Sequence, residues 1–347
     1  MLDRLAINLL LLASSAAVLA HPGADVRTEF LERQEHLNNP ARRTLSECHA
    51  RLEARGHYAA ELERRMTKIN GLRSKRGLQA APGAVQKRDG GARAGCVLDP
   101  EVTEGPFWVQ GEVIRPDIRE DSNGVVLHLD INVIDVTTCE PIPDAYVELW
   151  GCNSTGVYTG VIAKGNGVGL DAPEEINNSA LRGVQPTDAD GTASFVTIVP
   201  GHYVGRTNHL HTIVHHGATR LSNDTIQGGT VSHVGQFYFD DVSIEAVELE
   251  SPYSTNTQAW TRNADDFLLR QGQAGGDNPF IELTLLGGSM ADGLHGVIDV
   301  GVDPSAKQEP KPVNFWTADG GKPVEGSPWA GYPWTVRLMA LLRRWGL

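Results

Sequence analysis

The run Pro200-Gly201-His202-Tyr203-Val204-Gly205-Arg206-Thr207-Asn208-His209-Leu210-His211 gathers a tyrosine, an arginine and a His-x-His pair in one short stretch. A strand turns alternate side chains to opposite faces, so His209 and His211 are expected on the same side. Two imidazoles side by side, with Tyr203 a short turn away, are the makings of a metal site. His215 and His216 follow closely and read as ordinary core or surface histidines. No carboxylate stands near enough in sequence to complete a two-histidine, one-carboxylate iron site. Tyrosine is the other oxygen donor at hand. Ferric iron lowers a phenol's pKa far below its free value of about 10, so a phenolate suits that hard ion. Tyr203 follows Pro200-Gly201-His202, and Tyr158 follows Gly156-Val157; such glycine-rich surroundings let a backbone approach a metal. Taken singly, either residue is a buried tyrosine with its hydroxyl bonded to something.

The elements that must hold these residues read as strands. Leu127, Leu129, Ile131 and Val133 alternate with His128, Asp130 and Asn132, the mark of a half-buried strand. Glu140 to Asp144 is a turn, and Tyr146 to Trp150 is expected to return as the partner strand. Thr187 to Gly191 is a second turn, leading into Ala193 to Val199. Further strands are expected around Asn208 to His216, Val234 to Phe239, Phe280 to Leu285 and Gly296 to Val302. Short strands at regular spacing predict a mainly β fold, an antiparallel β-sandwich over residues 96–302.

Ahead of it, residues 21–95 read as a small helical region and linker. Thr44-Leu45-Ser46-Glu47 has the pattern of a capping box. Leu45, Cys48 and Leu52 share one helical face, as do Leu62, Met66 and Ile69. The region is a helical hairpin on the main domain or, in the alternative reading, a propeptide released at the dibasic Lys87-Arg88. Residues 303–347 read as an irregular tail rich in Pro, Gly and Trp.

Residues 1–20 have the layout of a secretory signal peptide: Arg4, an apolar run from Ile7 to Leu12, and Val18-Leu19-Ala20 before His21. The expected location is therefore extracellular, and no later stretch is apolar enough to span a membrane. The formal net charge of -13 argues against nucleic acid as a partner. Four cysteines suit an oxidising compartment, and closeness in sequence favours Cys139 with Cys152 and Cys48 with Cys96. Sequons at Asn153, Asn177 and Asn223 predict some glycosylation.

Several of these segments occur in a telling order. Glu104-Gly105-Pro106-Phe107, Pro141 to Ala145, Val147 to Trp150, Gly156-Val157-Tyr158, Thr187 to Gly191, Pro200 to Tyr203 and Arg206 to His211 together resemble the intradiol ring-cleavage dioxygenases, above all their secreted fungal branch. The resemblance runs over roughly residues 96–300. It implies a non-haem Fe(3+) ion held by Tyr158, Tyr203, His209 and His211, with Tyr203 the axial ligand that leaves when substrate binds. It implies that Arg206 lies near the substrate and stabilises developing charge, and that Gln236 lies beside the ring. The substrates implied are a catechol and O2, with the ring cut between its two hydroxyls and muconate-type products. No organic cofactor is implied.

Two features depart from the family's pattern. Trp150 is followed by Gly151-Cys152 where other members often carry a histidine. The N-terminal helical region does not match the dimerisation region of the cytosolic catechol enzymes, so dimerisation does not carry over. Two other functions fit parts of the sequence: a non-catalytic secreted β-sandwich that binds a ligand or cell-wall component, and a zinc hydrolase, which two phenolate ligands disfavour. The segments Glu104 to Trp108 and Gly160 to Asp171 are expected to line the pocket.

Overall fold

The apolar side of Leu127, Leu129, Ile131 and Val133 needs a second apolar layer, and a computed structural model supplies it from the sheet that carries His209 and His211. The structure describes residues 44–79, 96–97, 105, 107–163, 166, 173–273 and 278–324. The signal-like residues 1–20, the Lys87-Arg88 pair and residues 325–347 lie outside the described residues.

One sheet contains β1 (Cys96–Val97), β3 (Val126–Asp135), β6 (Thr192–Ile198), β11 (Glu282–Leu285) and β12 (Leu294–Val302). The facing sheet contains β4 (Tyr146–Trp150), β5 (Arg182–Pro186), β7 (His209–His216) and β10 (Thr230–Tyr238), in the order β10-β7-β4-β5. Between them Leu127, Leu129, Ile131 and Val133 meet Val147, Leu149, Leu210, Val214 and Phe237 in one buried core. A small third sheet joins β2 (Val109–Gln110) to a hairpin of β13 (Asn314–Thr317) and β14 (Gly320–Pro323). A short ribbon, β8 (Thr219–Arg220) with β9 (Ile226–Gln227), lies between β7 and β10 in the chain.

Four expectations about the sheets, the tail and the disulfide need correction here. The first sheet is mixed, not antiparallel throughout, because β12 lies parallel to both β3 and β1. These strands are far apart in sequence, so no tight turn forces an antiparallel pairing. Tyr146–Trp150 does not pair with the strand before it. The chain crosses to the other sheet at the Glu140–Asp144 turn, and β4 pairs with β5 and β7. The segment after Asp303 is not irregular throughout, since β13 and β14 form a hairpin whose Asn314 pairs with Val109.

The fourth correction concerns the disulfide. Cys48 is bonded to Cys139, and Cys152 is a buried free thiol. Cys139 stands in the turn before β4 and Cys152 just past its far end, so the strand holds them apart. Sequence neighbours across a strand are not spatial neighbours. The side chain of Cys96 lies outside what the structure describes.

The helical hairpin is α1 (Leu45–Ala54) and α2 (His57–Arg76). Leu45, Cys48 and Leu52 are buried against Ile134, Val136 and Cys139. Thr44 is the N-cap residue, but its hydroxyl bonds Ser46 Oγ at 2.5 Å and no side-chain cap forms. On α2 the buried side is polar: Glu61 and Arg73 lie under the helix with Ile69, while Leu62 is exposed. The outer face of β3 carries Asp130, so the helix facing it needs charge. Lys68 pairs with Asp130, and Arg65 donates to Glu282 Oε2 at 2.9 Å. Burial works against ionising Asp130, but His295 and Lys68 hold its carboxyl well below the usual carboxylate range. Two further helices, α3 (Asp241–Glu248) and α4 (Phe267–Gln273), follow β10. No helix among the described residues is long and apolar enough to cross a membrane.

Candidate metal centre

The site lies on the outer face of the β10-β7-β4-β5 sheet. Period-2 alternation sends Leu210, Thr212 and Val214 one way and His209, His211 and Ile213 the other. Across the sheet His211 pairs with Trp150 on one side and Gln236 on the other, and His209 pairs with Tyr238. The Trp150 indole stacks on the His211 ring, centroids 5.0 Å apart and planes 8° apart. His209 Nδ1 lies 2.6 Å from the Thr207 carbonyl oxygen. A carbonyl can only accept, so Nδ1 carries the proton and Nε2 keeps its lone pair for the site.

Two loops bring the tyrosines in. Asn153 folds the first by accepting from Thr155 N at 2.9 Å and Val157 N at 3.1 Å. The second, from Pro200 to Arg206, crosses it backbone to backbone. A Cβ on Gly156 would collide with the His202 carbonyl, and one on Gly201 with the Ser154 carbonyl. Only glycine lets the loops approach this closely. Asn166 then grips the peptide of Tyr158 from both sides, accepting from its N–H at 2.7 Å and donating to its carbonyl at 2.8 Å.

The result is a convergence of four donor atoms. Tyr158 Oη lies 2.9 Å from His211 Nε2 and 3.4 Å from His209 Nε2. Tyr203 Oη lies 3.1 Å from His209 Nε2, and the two Nε2 atoms are 3.1 Å apart. All four side chains are buried. Burial pushes the Tyr203 phenol up to about 12, against the pull of Arg206. Burial, then the neighbouring Tyr203, pushes Tyr158 well above its ordinary value. A highly charged cation would reverse both shifts. Among the described residues no three His, Cys, Asp or Glu side chains gather as a metal site, so the tyrosines are indispensable to this one. Two phenol oxygens and two imidazole nitrogens within mutual reach fit a ferric ion.

Arg206 and Gln236 stand at the same centre. Arg206 is fully buried and its Nη2 donates to Gln236 Oε1 at 2.5 Å and Tyr238 Oη at 3.0 Å. Its Nε donates to Asp266 Oδ2 at 2.9 Å. Asp266 and Tyr238 were not visible as site residues in the sequence. The available signal for Asp266 was weak: an Asp before the apolar start of a short helix. His215 lies on the same face but pairs with Glu148 Oε2 at 2.8 Å, away from the four donors. Behind Tyr158, Arg182 donates to the Thr159 carbonyl at 2.9 Å and pairs with Glu112 at 3.3 Å, both partners buried. Burial, with Glu148 adding to it, pushes the Glu112 carboxyl well above its usual range despite Arg182.

The walls come from distant parts of the chain. Phe107 packs on Tyr158 with centroids 5.0 Å apart, and a Cβ on Gly105 would stand 2.6 Å from His211 Cε1. Asn314 of β13 donates to the Gly160 carbonyl at 2.6 Å, so the C-terminal hairpin braces the loop after Tyr158. Of Glu104 to Trp108, Gly105 and Phe107 make these contacts, and of Gly160 to Asp171, Gly160 does; Glu104, Pro106, 164–165 and 167–171 lie outside the described residues.

A family model described as Dioxygenase (Dioxygenase_C) matches residues 100–239. The intradiol ring-cleavage dioxygenase from Tetranychus urticae has 30% sequence identity and a TM-score of 0.50, over 62% of this chain and 98% of that one. The dioxygenase Tetur07g02040 has 29% identity and a TM-score of 0.48, again over 62% and 98%. Catechol 1,2-dioxygenase of Pseudomonas sp. (strain EST1001) is 38% identical over 84 residues, a match that spans 23% of this chain and 25% of that protein.

Proposed function

Because this chain belongs to the intradiol ring-cleavage dioxygenase family, we propose that it binds Fe(3+) through Tyr158, Tyr203, His209 and His211 and cleaves catechol-type rings with O2. The observation that carries the reading is the convergence of two phenol oxygens and two imidazole nitrogens in one buried cluster. Bound ferric iron would supply Lewis-acid activation of both catechol oxygens toward dioxygen.

The chain's own residues do the rest. Tyr203 has its hydroxyl in the cluster and the Arg206 charge acting on it; as the phenolate, the form a bound cation would favour, it would be placed to receive a substrate hydroxyl proton. Arg206 is a fixed positive charge, already desolvated, that stabilises negative charge as it develops on the substrate. Burial works to lower its pKa, but Asp266, then the Tyr238 and Tyr203 hydroxyls, hold it above its ordinary value. It therefore stays cationic throughout. Gln236 is held beside it by the same hydrogen bonds. Phe107, Trp108 and Trp150 surround the cluster with apolar surface that keeps bulk water away.

The chain is also read as secreted, on its first twenty residues. Asn177 and Asn223 are exposed, as a glycosylated asparagine must be, whereas Asn153 is half-buried at the base of the Tyr158 loop.

The test is product analysis under 18O2. Catechol should give a dicarboxylic acid of the cis,cis-muconic type with one labelled oxygen in each new carboxyl group. An aldehyde-bearing product, or no oxygen uptake with iron-loaded protein, would overturn the reading.

A further inference from the structure

Arg206 leaves a turn, not a strand, and its long side chain has wide rotamer freedom. A charge that stabilises a transition state must be in place before the reaction, so something has to fix the guanidinium. Asp266 is placed to do so. It is fully buried, and its Oδ2 accepts from Arg206 Nε at 2.9 Å and from Thr207 N at 2.9 Å. Its Oδ1 accepts from Leu268 N at 2.8 Å and Leu269 N at 3.0 Å, at the start of α4. The carboxylate thus ties the guanidinium, the backbone next to it and a helix end into one rigid unit. At the other end, Tyr238 donates to Gln236 Oε1 at 2.8 Å, the same oxygen that takes Arg206 Nη2. That oxygen has two donors, which sets the amide's orientation and turns Nε2 away from Arg206.

We propose that Asp266 is a positioning residue for ring cleavage, acting through Arg206, with Tyr238 as the second anchor of the same guanidinium. The proposal rests on the function given above. Nothing in it requires Asp266 to touch the substrate. Its carboxylate fixes the plane of the guanidinium from the Nε side, while Tyr238 and Gln236 fix the Nη2 side.

The test is a double-mutant cycle of D266N with R206M, with Y238F beside it. It is run well below the lowest melting temperature and at matched iron content. D266N alone should lower kcat about 100-fold, as expected for a displaced electrostatic group, with KM changed less than about threefold. The iron content and visible band of the resting protein should be kept. In the R206M background D266N should change kcat by less than about twofold, because a residue acting through Arg206 has nothing left to position. Y238F should cost about tenfold in kcat with the same resting band.

Equal effects of D266N in both backgrounds, or loss of iron together with activity, would overturn the proposal. If D266N does not fold, the cycle is run with Y238F and R206M, and additivity there is equally fatal. Wild-type protein that cleaves no catechol would bring down the function and the proposal together. Active wild-type protein with an additive cycle would bring down the proposal alone.

Discussion

Gly105 carries no chemistry, yet replacing it with alanine should loosen the metal. Its φ of +75° lies in the left-handed region, where an L side chain costs about 1–2 kcal/mol. The added Cβ would stand 2.6 Å from His211 Cε1. Ordinary contact begins near 3.4 Å, so the ring must retreat by about 0.8 Å. The Trp150 indole stacked on His211 limits that retreat. Shifting one of four ligands by this much should weaken iron binding about 10- to 100-fold, the range seen when ligand orientation is lost. Gly77 is the control: its φ is +66° and nothing lies within 4 Å of its would-be Cβ. G77A and G105A share the backbone penalty, but only G105A should lose iron faster to a chelator in competition dialysis. Iron affinity in G105A within twofold of G77A would refute the steric reasoning.

The Cys48–Cys139 bond closes a span of 91 residues, worth about 4–5 kcal/mol in the chain-entropy model. C48A/C139A should therefore lower unfolding stability in guanidinium by about that amount, and a loss under about 1 kcal/mol would show that the polar contacts of α2 suffice. His128 should make stability depend on pH. Burial, then the nearby His295 and Lys68 charges, lower its pKa from 6.5 to about 4 in the folded chain. The folded state thus favours the neutral ring: its contribution is whole above pH 6.5 and is lost as pH falls toward 4. Discounted for its partial exposure, that loss is about 1–2 kcal/mol, and denaturant unfolding of H128N between those pH values should show a correspondingly flatter slope.

The site was partly legible in the sequence because strand geometry is local. Alternation placed His209 and His211 on one face and β3 to within a residue or two, and the turns at Glu140 and Thr187 placed β4 and β6 as closely. The meeting of Tyr158 with Tyr203 is not local. It depends on two loops crossing at Gly156 and Gly201, and only the ordered series of family-like segments pointed to it. Partnering between strands was not legible either. Nothing in Glu140 to Asp144 says that the chain changes sheets there, and closeness in sequence suggested Cys139 with Cys152 although β4 holds them apart. The polar underside of α2 escaped the apolar pattern because its contacts are ion pairs with Asp130 and Glu282. Asp266 escaped it because a lone aspartate gains its role only when α4 is packed against Arg206.

The central claim is that the two tyrosines and two histidines hold ferric iron for a catechol. The most direct measurement is the visible spectrum of the iron-loaded protein, before and after anaerobic catechol and then with O2 admitted. The structure predicts a tyrosinate-to-iron charge-transfer band that shifts with catechol and recovers its resting form as oxygen is consumed. A protein that stays colourless after loading with ferric iron would contradict the account.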